Sequence, residues 1–294
     1  MGGRVFIETT KINKEHIEST VGAFKKELLS AYPNASTFLS SSRYLGSVGK
    51  KPQSGDIDLS IQLNVEMLIN AFNLSSDALK EQANKFFKRA RKASYQKCYE
   101  RAVIDGVGKA LQDLGMDVSL KGTGSRILFL RYPQYDADGI LDKNVQLDLM
   151  FGDQDWLDFA YYSEVYSGNV KGLHRTQLLL SMFVDRGLSF SHVEGVKKDG
   201  VLIATTTNQA IDLLAKEYGI EVTRASLMSY FSLFDIITDL EDSVQQSILD
   251  RFLRILDYTR CDIPDNLQEY WIESKERLSL TGKFLPQESR LCQE

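Results

Sequence analysis

Two aspartates separated by a single isoleucine, in a segment otherwise built like a buried strand, constrain this chain more than any other feature. Asp56 and Asp58 alternate with Ile57 and Leu59. Because side chains on a strand alternate in direction, the two carboxylates share one face and the aliphatic side chains share the other. Like charges held this close are costly unless a cation lies between them, and carboxylate oxygens favour a hard divalent metal. The segment therefore predicts a strand that supplies part of a metal site.

A second strand-like segment offers a third carboxylate. Residues 145–151 are rich in strand formers, and Asp148 lies at their centre. If this segment pairs beside the first strand, Asp148 joins the face that holds Asp56 and Asp58. Three carboxylates in that arrangement bind two magnesium ions about 3.5–4 Å apart, the spacing that clamps the attacking and leaving oxygens of a phosphoryl displacement.

Four features together resemble the motifs of the nucleotidyltransferase superfamily, in the branch typified by DNA polymerase beta. They are Gly46-Ser47, the short basic loop after it, the segment with Asp56 and Asp58, and the later strand with Asp148. Members of this superfamily transfer a nucleoside monophosphate from a nucleoside triphosphate to a hydroxyl and release pyrophosphate. The resemblance implies that the three aspartates are catalytic metal ligands. It also implies two Mg²⁺ ions, with Mn²⁺ as an alternative, and a nucleoside triphosphate as substrate.

Downstream turns extend the resemblance to a thumb-like region. Residues 166–168 (Tyr-Ser-Gly) stand where the family has an aromatic-Thr-Gly turn before its nucleotide-facing helix. Residues 186–188 (Arg-Gly-Leu) resemble the Lys-Gly that precedes its hairpin, although the spacing differs by several residues. The resemblance covers residues 38–61 and 126–219. It includes no counterpart of the family's N-terminal lyase domain or of its helix-hairpin-helix DNA clamps.

Several residues are expected to contact the nucleotide. Backbone N–H groups of the Gly46-Ser47 turn, with the Ser47 hydroxyl, suit the β- and γ-phosphates because oriented amides attract anions; a plain turn is the alternative. Lysines in the loop that follows, and basic residues that open the helix after the Tyr-Ser-Gly turn, add positive charge. Each can equally be solvated, and a lone histidine is more often structural. The full set is Gly46, Ser47, Lys50, Lys51, Lys171, His174 and Arg175.

A basic segment between residues 80 and 101 predicts a nucleic-acid contact. It has eight basic and two acidic residues, a net charge of +6 that leaves −11 on the rest of a chain whose total is −5. Aromatic residues are interleaved with the charges, as in surfaces that grip a phosphate backbone and stack a base. A solvated amphipathic helix with its aromatic residues in the core is the alternative. The residues expected to make the contact are Lys80, Lys85, Lys88, Arg89, Arg91 and Lys92.

Hydrophobic periodicity and turn residues predict an α+β chain with two domains. By the resemblance, residues 1–160 form a nucleotidyltransferase palm with a mixed or antiparallel sheet and a helical insertion at about 65–115. Residues 161–294 form a mostly helical, thumb-like domain with a small hairpin near 193–205. The individual predictions are helices at 14–32, 173–184, 208–218 (capped by Thr207) and 227–258, and strands at 56–61, 126–131 and 145–151.

Composition argues against a membrane or secreted protein. Of the 294 residues, 43% are hydrophobic. No apolar run approaches the ~20 residues that a bilayer span requires, and residues 1–5 do not open a secretory signal. A cytoplasmic protein without a membrane partner is therefore expected. Cys98, Cys261 and Cys292 lack the spacing of a metal site and cannot all pair within one chain, so we expect free thiols.

The acceptor hydroxyl is expected to belong to a nucleic-acid 3′ end, either a DNA primer or an RNA that is tailed without a template. Missing DNA clamps and the acidic total charge weigh against gap-filling repair. Two alternatives stay open: the chain nucleotidylates a protein or makes a signalling oligonucleotide, or it is an inactive nucleic-acid-binding module. Retention of all three carboxylates argues against the inactive module.

Overall fold

The structure, a computed structural model, describes residues 5–90, 93–166 and 168–280, which fall into two compact units. The first unit extends to Gln154 and the second begins at Asp155. The sequence analysis sets the boundary slightly later, after residue 160. Both helices and a mixed sheet are present, so the α+β class predicted from the sequence is confirmed.

Short strands, one long pair of strands and five helices make up the described part of the first unit. The strands are β1 (Ile12–Asn13), β2 (Arg43–Tyr44), β3 (Gln53–Ser54), β4 (Ile57–Gln62), β5 (Asp117–Ser119), β6 (Ile127–Tyr135) and β7 (Ile140–Gly152). The helices are α1 (Lys14–Ala31), α2 (Ser36–Ser40), α3 (Val65–Ala71), α4 (Ser76–Arg89) and α5 (Tyr95–Asp113). The helical insertion predicted at about 65–115 thus consists of α3, α4 and α5.

Five of these strands form a mixed sheet in the order β2-β4-β7-β6-β5. In this sheet β4 and β7 run parallel, and the other neighbouring strands run antiparallel. From Val145 onwards β7 is buried, as is typical of a central strand covered on both faces. In contrast, β6 alternates buried and half-buried residues along its length. The β4–β7 pair therefore forms the centre of the sheet.

Helix α1 packs against this sheet through one apolar stripe. The ring of Phe24 meets that of Tyr132 on β6 edge-on, with ring centroids 5.6 Å apart. Burial of each large apolar side chain of the stripe stabilises the fold by about 1.5–3 kcal/mol. The buried stripe has the spacing that the sequence predicts: Ile17, Val21, Phe24 and Leu28.

Each helix of the insertion begins at a side-chain cap. Asn64, Ser75 and Ser94 accept hydrogen bonds from the backbone N–H three residues later, at 3.0, 3.4 and 3.3 Å. Such caps satisfy donors that the first helical turn leaves unpaired. In α5, Gly108 permits a close approach to the sheet, because a Cβ there would lie 2.9 Å from the Leu128 side chain of β6.

The described part of the second unit is mostly helical and has one small sheet. Its helices are α6 (Gln154–Ala160), which starts at the boundary, α7 (Gly172–Asp185), α8 (Thr207–Tyr218), α9 (Arg224–Met228), α10 (Tyr230–Thr238), α11 (Asp242–Tyr258) and α12 (Gln268–Leu280). Its strands are β8 (Leu188–Ser191), β9 (Gly195–Lys198) and β10 (Val201–Ala204). They form an antiparallel sheet in the order β10-β9-β8, in which β9 and β10 are the hairpin expected near 193–205.

Two helix predictions for this unit are wrong in detail. The helix predicted at 227–258 is broken into separate helices, because Ser229 is extended (φ −104°, ψ 139°) and Glu241 has a ψ of 137°. The cap of α8 is Thr206 and not Thr207. The Thr206 Oγ accepts a hydrogen bond from the backbone N–H three residues later at 3.3 Å, so the helix begins one residue earlier than expected.

The described residues include no membrane-spanning helix and two free cysteines. Within residues 5–90, 93–166 and 168–280, no helix is both long and apolar enough to cross a bilayer. Cys98 and Cys261 are free thiols, and Cys292 lies outside the described residues.

A buried arginine links three helices of the second unit. Arg175 of α7 is fully buried, and its guanidinium donates to the carbonyl oxygens of Phe159 at 2.7 Å and Leu227 at 2.8 Å. Those carbonyls belong to the last turns of α6 and α9, where main-chain acceptors lack partners within the helix. A cation at a helix C-terminus also complements the helix dipole. The side chain therefore replaces solvent at two helix ends.

We expect Arg175→Met to lower the free energy of unfolding of this unit by about 3 kcal/mol, because the Leu227 and Phe159 carbonyl groups each lose a hydrogen bond from a charged donor. Urea denaturation followed by tryptophan fluorescence measures this, since Trp156 and Trp271 are buried in the second unit. Arg224→Met is the control: its ion pair with Asp155 is largely exposed, and such pairs contribute about 0–1 kcal/mol. Equal losses in the two variants would contradict the structural role of Arg175.

Candidate metal centre

The parallel strand pair brings the three predicted carboxylates together. In the β4–β7 ladder, Asp58 is the register partner of Asp148. Asp56 lies two residues before Asp58, so its side chain points to the same face. One carboxylate oxygen from each residue can be chosen so that all three lie within 4.8 Å of one another. The structure therefore places Asp56, Asp58 and Asp148 in a single cluster.

Burial of the strands fixes which way these side chains point. Ile57 and Leu59 of β4 are fully buried in the core of the first unit. Asp148 is also fully buried, whereas Asp56 and Asp58 are half-buried. Turning the acidic face away from its position would require the aliphatic residues to leave the core. The hydrophobic side of the strand thus holds the carboxylates in place.

Gln146 completes the immediate surroundings of Asp148. The Nε2 of Gln146 donates to both carboxylate oxygens of Asp148, at 3.0 and 3.3 Å. Its side-chain oxygen, Oε1, accepts a hydrogen bond from the Val5 N–H at 2.9 Å. The sequence analysis does not identify this residue. The available signal is its position two residues before Asp148, which places both side chains on one face of β7.

The cluster is electrostatically unfavourable without a cation. Burial, together with the charges of Asp58 and Asp56, raises the pKa of Asp148 to about 8. Burial and the neighbouring Asp56 raise the pKa of Asp58 to about 7. Burial also raises the pKa of Asp56. At neutral pH the three groups therefore resist carrying three negative charges at once.

These residues fit a divalent cation. The cluster offers carboxylate oxygens, the hard ligands that Mg²⁺ and Mn²⁺ prefer. A cation among them would stabilise the ionised forms that burial and mutual repulsion disfavour. The donor set and its electrostatics thus agree on the same class of occupant.

The Gly46-Ser47 turn lies at the carboxylate end of β4. Strand β2 runs antiparallel to β4, and the Leu45 N–H continues that ladder by donating to the Asp58 carbonyl oxygen at 3.0 Å. Gly46 and Ser47 follow directly, in a turn whose Lys50 N–H donates to the Ser47 carbonyl at 3.1 Å. The exposed Lys50 and the half-buried Lys51 are in the same loop. These four predicted phosphate contacts therefore belong to the same unit as the carboxylates.

The other three predicted nucleotide contacts lie in the second unit. Lys171 forms an ion pair with Asp262. His174 is fully buried, and its Nδ1 accepts from the Lys171 N–H at 3.1 Å; burial and the Lys171 charge lower its pKa. The Arg175 guanidinium binds main-chain carbonyls, as described above. The interpretation of His174 and Arg175 as ligand contacts is corrected, because both are withdrawn from the surface and hold local structure.

The basic segment forms the exposed side of α4 and the start of α5. Lys80 and Lys85 form ion pairs within α4, with Asp77 at 3.8 Å and Glu81 at 2.7 Å. Lys88 and Arg89 are exposed in its last turn. Two predicted contacts, Arg91 and Lys92, lie outside the described residues, as does Ser167 of the Tyr-Ser-Gly turn.

Comparisons with known proteins assign no family to this chain. No protein-family model matches it, and no curated protein gives a significant match. A functional assignment must therefore rest on the site itself and on the motifs that the sequence carries.

We expect the acidic cluster to make the metal-free protein less stable as pH rises. Because folding raises the pKa values of Asp58 and Asp148, their contribution is most favourable below the unfolded value near pH 4. It declines up to their folded values of about 7 and 8. The loss is of the order of a few kcal/mol. Added Mg²⁺ should reverse it, so the rise in Tm that Mg²⁺ causes should grow between pH 5 and pH 8.

Thermal unfolding in EDTA and in Mg²⁺ across this pH range measures the effect, and two variants isolate the cluster. Asp148→Asn removes one buried charge, so its metal-free Tm at pH 8 should exceed that of the unmodified chain and its Mg²⁺ response should shrink. Asp142→Asn changes an exposed carboxylate on the same strand and should retain both behaviours. A Mg²⁺ response that is the same at all pH values would exclude metal binding by the cluster.

Proposed function

We propose that this chain is a metal-dependent nucleotidyltransferase. It transfers a nucleoside monophosphate from a nucleoside triphosphate to a hydroxyl and releases pyrophosphate. The observation that carries the proposal is the convergence of Asp56, Asp58 and Asp148 on the central parallel strands of a mixed sheet. The Gly46-Ser47 turn at the end of β4 supports it, because the two motifs that resemble the superfamily meet at one edge of the first unit.

The carboxylates have distinct roles in this proposal. Asp56 and Asp58 would hold both ions, and Asp148 would hold the ion nearest the acceptor. Bound divalent cations lower the pKa of the acceptor hydroxyl and stabilise charge on the phosphoryl oxygens. The hydroxyl oxygen forms a bond to the α-phosphorus in line with the bond to the leaving pyrophosphate, which breaks, and Asp148 accepts the hydroxyl proton. Gln146 orients Asp148 for this task through its two hydrogen bonds.

The phosphate chain of the substrate is assigned to the turn after β2. Backbone N–H groups around Gly46 and the Ser47 hydroxyl would bind the β- and γ-phosphates, and Lys50 or Lys51 would add positive charge. Together they stabilise the pyrophosphate as it departs. His174 and Arg175 take no part in this scheme, because their side chains are buried in the second unit.

The acceptor is a nucleic-acid 3′ end in this proposal. The support is the exposed basic side of α4, which belongs to the same unit as the carboxylates. A surface of this sign attracts phosphate backbones even when the chain as a whole is acidic. Nucleotidylation of a protein remains an alternative that the experiment below separates.

We expect Asp148→Asn and Asp58→Asn each to reduce nucleotide transfer by at least about 100-fold, because each removes a charged ligand and, for Asp148, the proton acceptor. The assay incubates the protein with each α-labelled nucleoside triphosphate, Mg²⁺ or Mn²⁺, and a DNA primer, a tRNA or no acceptor. Asp142→Asn serves as the matched control and should retain full activity.

The products of this assay discriminate between the candidate acceptors. Extension of the primer or of the tRNA identifies the nucleic-acid class, and label on the protein itself favours protein modification. Transfer that persists unchanged in Asp148→Asn and Asp58→Asn would overturn the proposed site.

A further inference from the structure

Three aromatic rings contact one another where α4 ends and α5 begins; two of them are exposed, and the third, Tyr99, is half-buried against the core. Phe87 and Tyr95 are 46% and 41% exposed, and their rings meet edge-on with centroids 6.0 Å apart. Tyr95 stacks on Tyr99, one helical turn later, with centroids 6.4 Å apart and an interplanar angle of 17°. We name Phe87, Tyr95 and Tyr99 the aromatic platform. Rings at such exposure keep part of their faces and edges open to a ligand.

Tyr99 of the aromatic platform also lines an open cleft with a volume of about 450 Å³. Glu66 and Asn70 of α3, and Ser76 of α4, line it with exposed polar groups. Among the described residues, its lining contains a carboxylate and no lysine or arginine. A phosphate is therefore disfavoured inside the cleft, whereas the amino and amide edges of a nucleobase find both donors and acceptors there.

Positive charge is concentrated beside the platform and not inside the cleft. Farther back on α4, Lys80 and Lys85 are neutralised by Asp77 and Glu81. Lys88 and Arg89, in the last turn next to Phe87, have no acidic partner among the described residues. The cations available to an incoming anion thus lie next to the rings. Rings for bases beside cations for phosphates are the two elements of a single-strand binding surface.

We propose that this surface binds single-stranded nucleic acid. Bases stack on the aromatic platform, one base enters the Tyr99 cleft, and the phosphates on either side lie against Lys88 and Arg89. A duplex cannot use the surface in this way, since its bases are stacked on one another and paired. The role of the bound nucleic acid as the acceptor of the reaction rests on the proposed function. Its binding to this surface does not depend on that function. Single-stranded RNA and DNA share the bases and phosphates that the surface recognises.

Fluorescence anisotropy in EDTA tests the binding, with the full chain and a labelled oligonucleotide supplied as single-stranded RNA, single-stranded DNA or duplex. At least one single strand should bind more tightly than the duplex, and the tighter of the two identifies the preferred sugar. Tyr95→Ala and Phe87→Ala should each weaken single-strand binding about 5- to 100-fold, the effect typical of losing one stacked base. Both side chains are exposed, so the variants should fold.

One further variant tests the role of the cleft, and another serves as the control. Tyr99→Leu keeps an apolar side chain at the cleft wall and should weaken binding by a similar factor, while Tyr258→Ala removes an exposed tyrosine of the second unit and should not change it. Unchanged affinity in Tyr95→Ala and Phe87→Ala, or equal affinity for duplex and single strand, would overturn the proposal.

The charges are tested through the salt dependence of binding. Replacing Lys88 and Arg89 by glutamine should reduce the slope of log affinity against log salt by about 0.7 for each lost phosphate contact. Replacing the ion-paired Lys80 and Lys85 should change the slope less. A slope that responds equally to both pairs would remove the assigned role of Lys88 and Arg89.

Asp148→Asn separates this inference from the proposed function. The variant should bind single strands as the unmodified chain does, although its nucleotide transfer should fall by at least about 100-fold. If the unmodified chain binds single strands but transfers no nucleotide to any acceptor, the proposed function is contradicted and the proposed binding surface is not. If the chain transfers nucleotide to a protein or to a free nucleotide but binds no single strand, the proposed binding surface is contradicted and the proposed carboxylate site is not.

Discussion

The parallel pairing of β4 with β7 is the contact on which the candidate site depends. It places Asp58 beside Asp148 in register and leaves Asp56 on the same face. A slip of one residue would send Asp148 into the apolar face and bring its aliphatic neighbours onto the acidic face, so the alternation of polar and apolar residues specifies the register. The free energy of apolar burial therefore holds together carboxylates that repel one another. Such preorganisation is what a cation site requires, because the cost of bringing the ligands together is met by folding.

Structural features that depend on residues close together in the chain can be predicted from this sequence. Features that depend on contacts between distant residues cannot. The Asp56-Ile-Asp58 alternation predicts its strand and its acidic face because a period of two needs only local information. The stripe of α1 is predictable for the same reason. The division of the helix expected at 227–258 is different. Its apolar residues continue across Ser229, and the extended backbone of that residue belongs to the packing of two separate helices.

The environments of the basic residues also could not be predicted from the sequence. Lys88 and Arg175 are equally cationic in the sequence, which predicts a phosphate contact for each. In the structure Lys88 is exposed, whereas Arg175 donates to carbonyls at the ends of two helices. Sequence spacing does not indicate which cation a fold uses internally, because the acceptors at Phe159 and Leu227 are distant in the chain. Gln146 is the converse case, a polar residue without a motif whose importance comes from two hydrogen bonds to Asp148.

The insertion between the two carboxylate strands places the aromatic platform and the acidic cluster on one scaffold. Helix α5 buries Val103 and Val107 in the same core as the aliphatic residues of β4, and Gly108 brings it close to Leu128 of the sheet. One side of the insertion is thus fixed to the strands that carry the aspartates. Phe87 and Tyr95 lie on the exposed side of the insertion, whereas Tyr99 is half-buried and packs against that core. The aromatic platform is therefore linked through Tyr99 to the packed side chains that also hold β4 and β7.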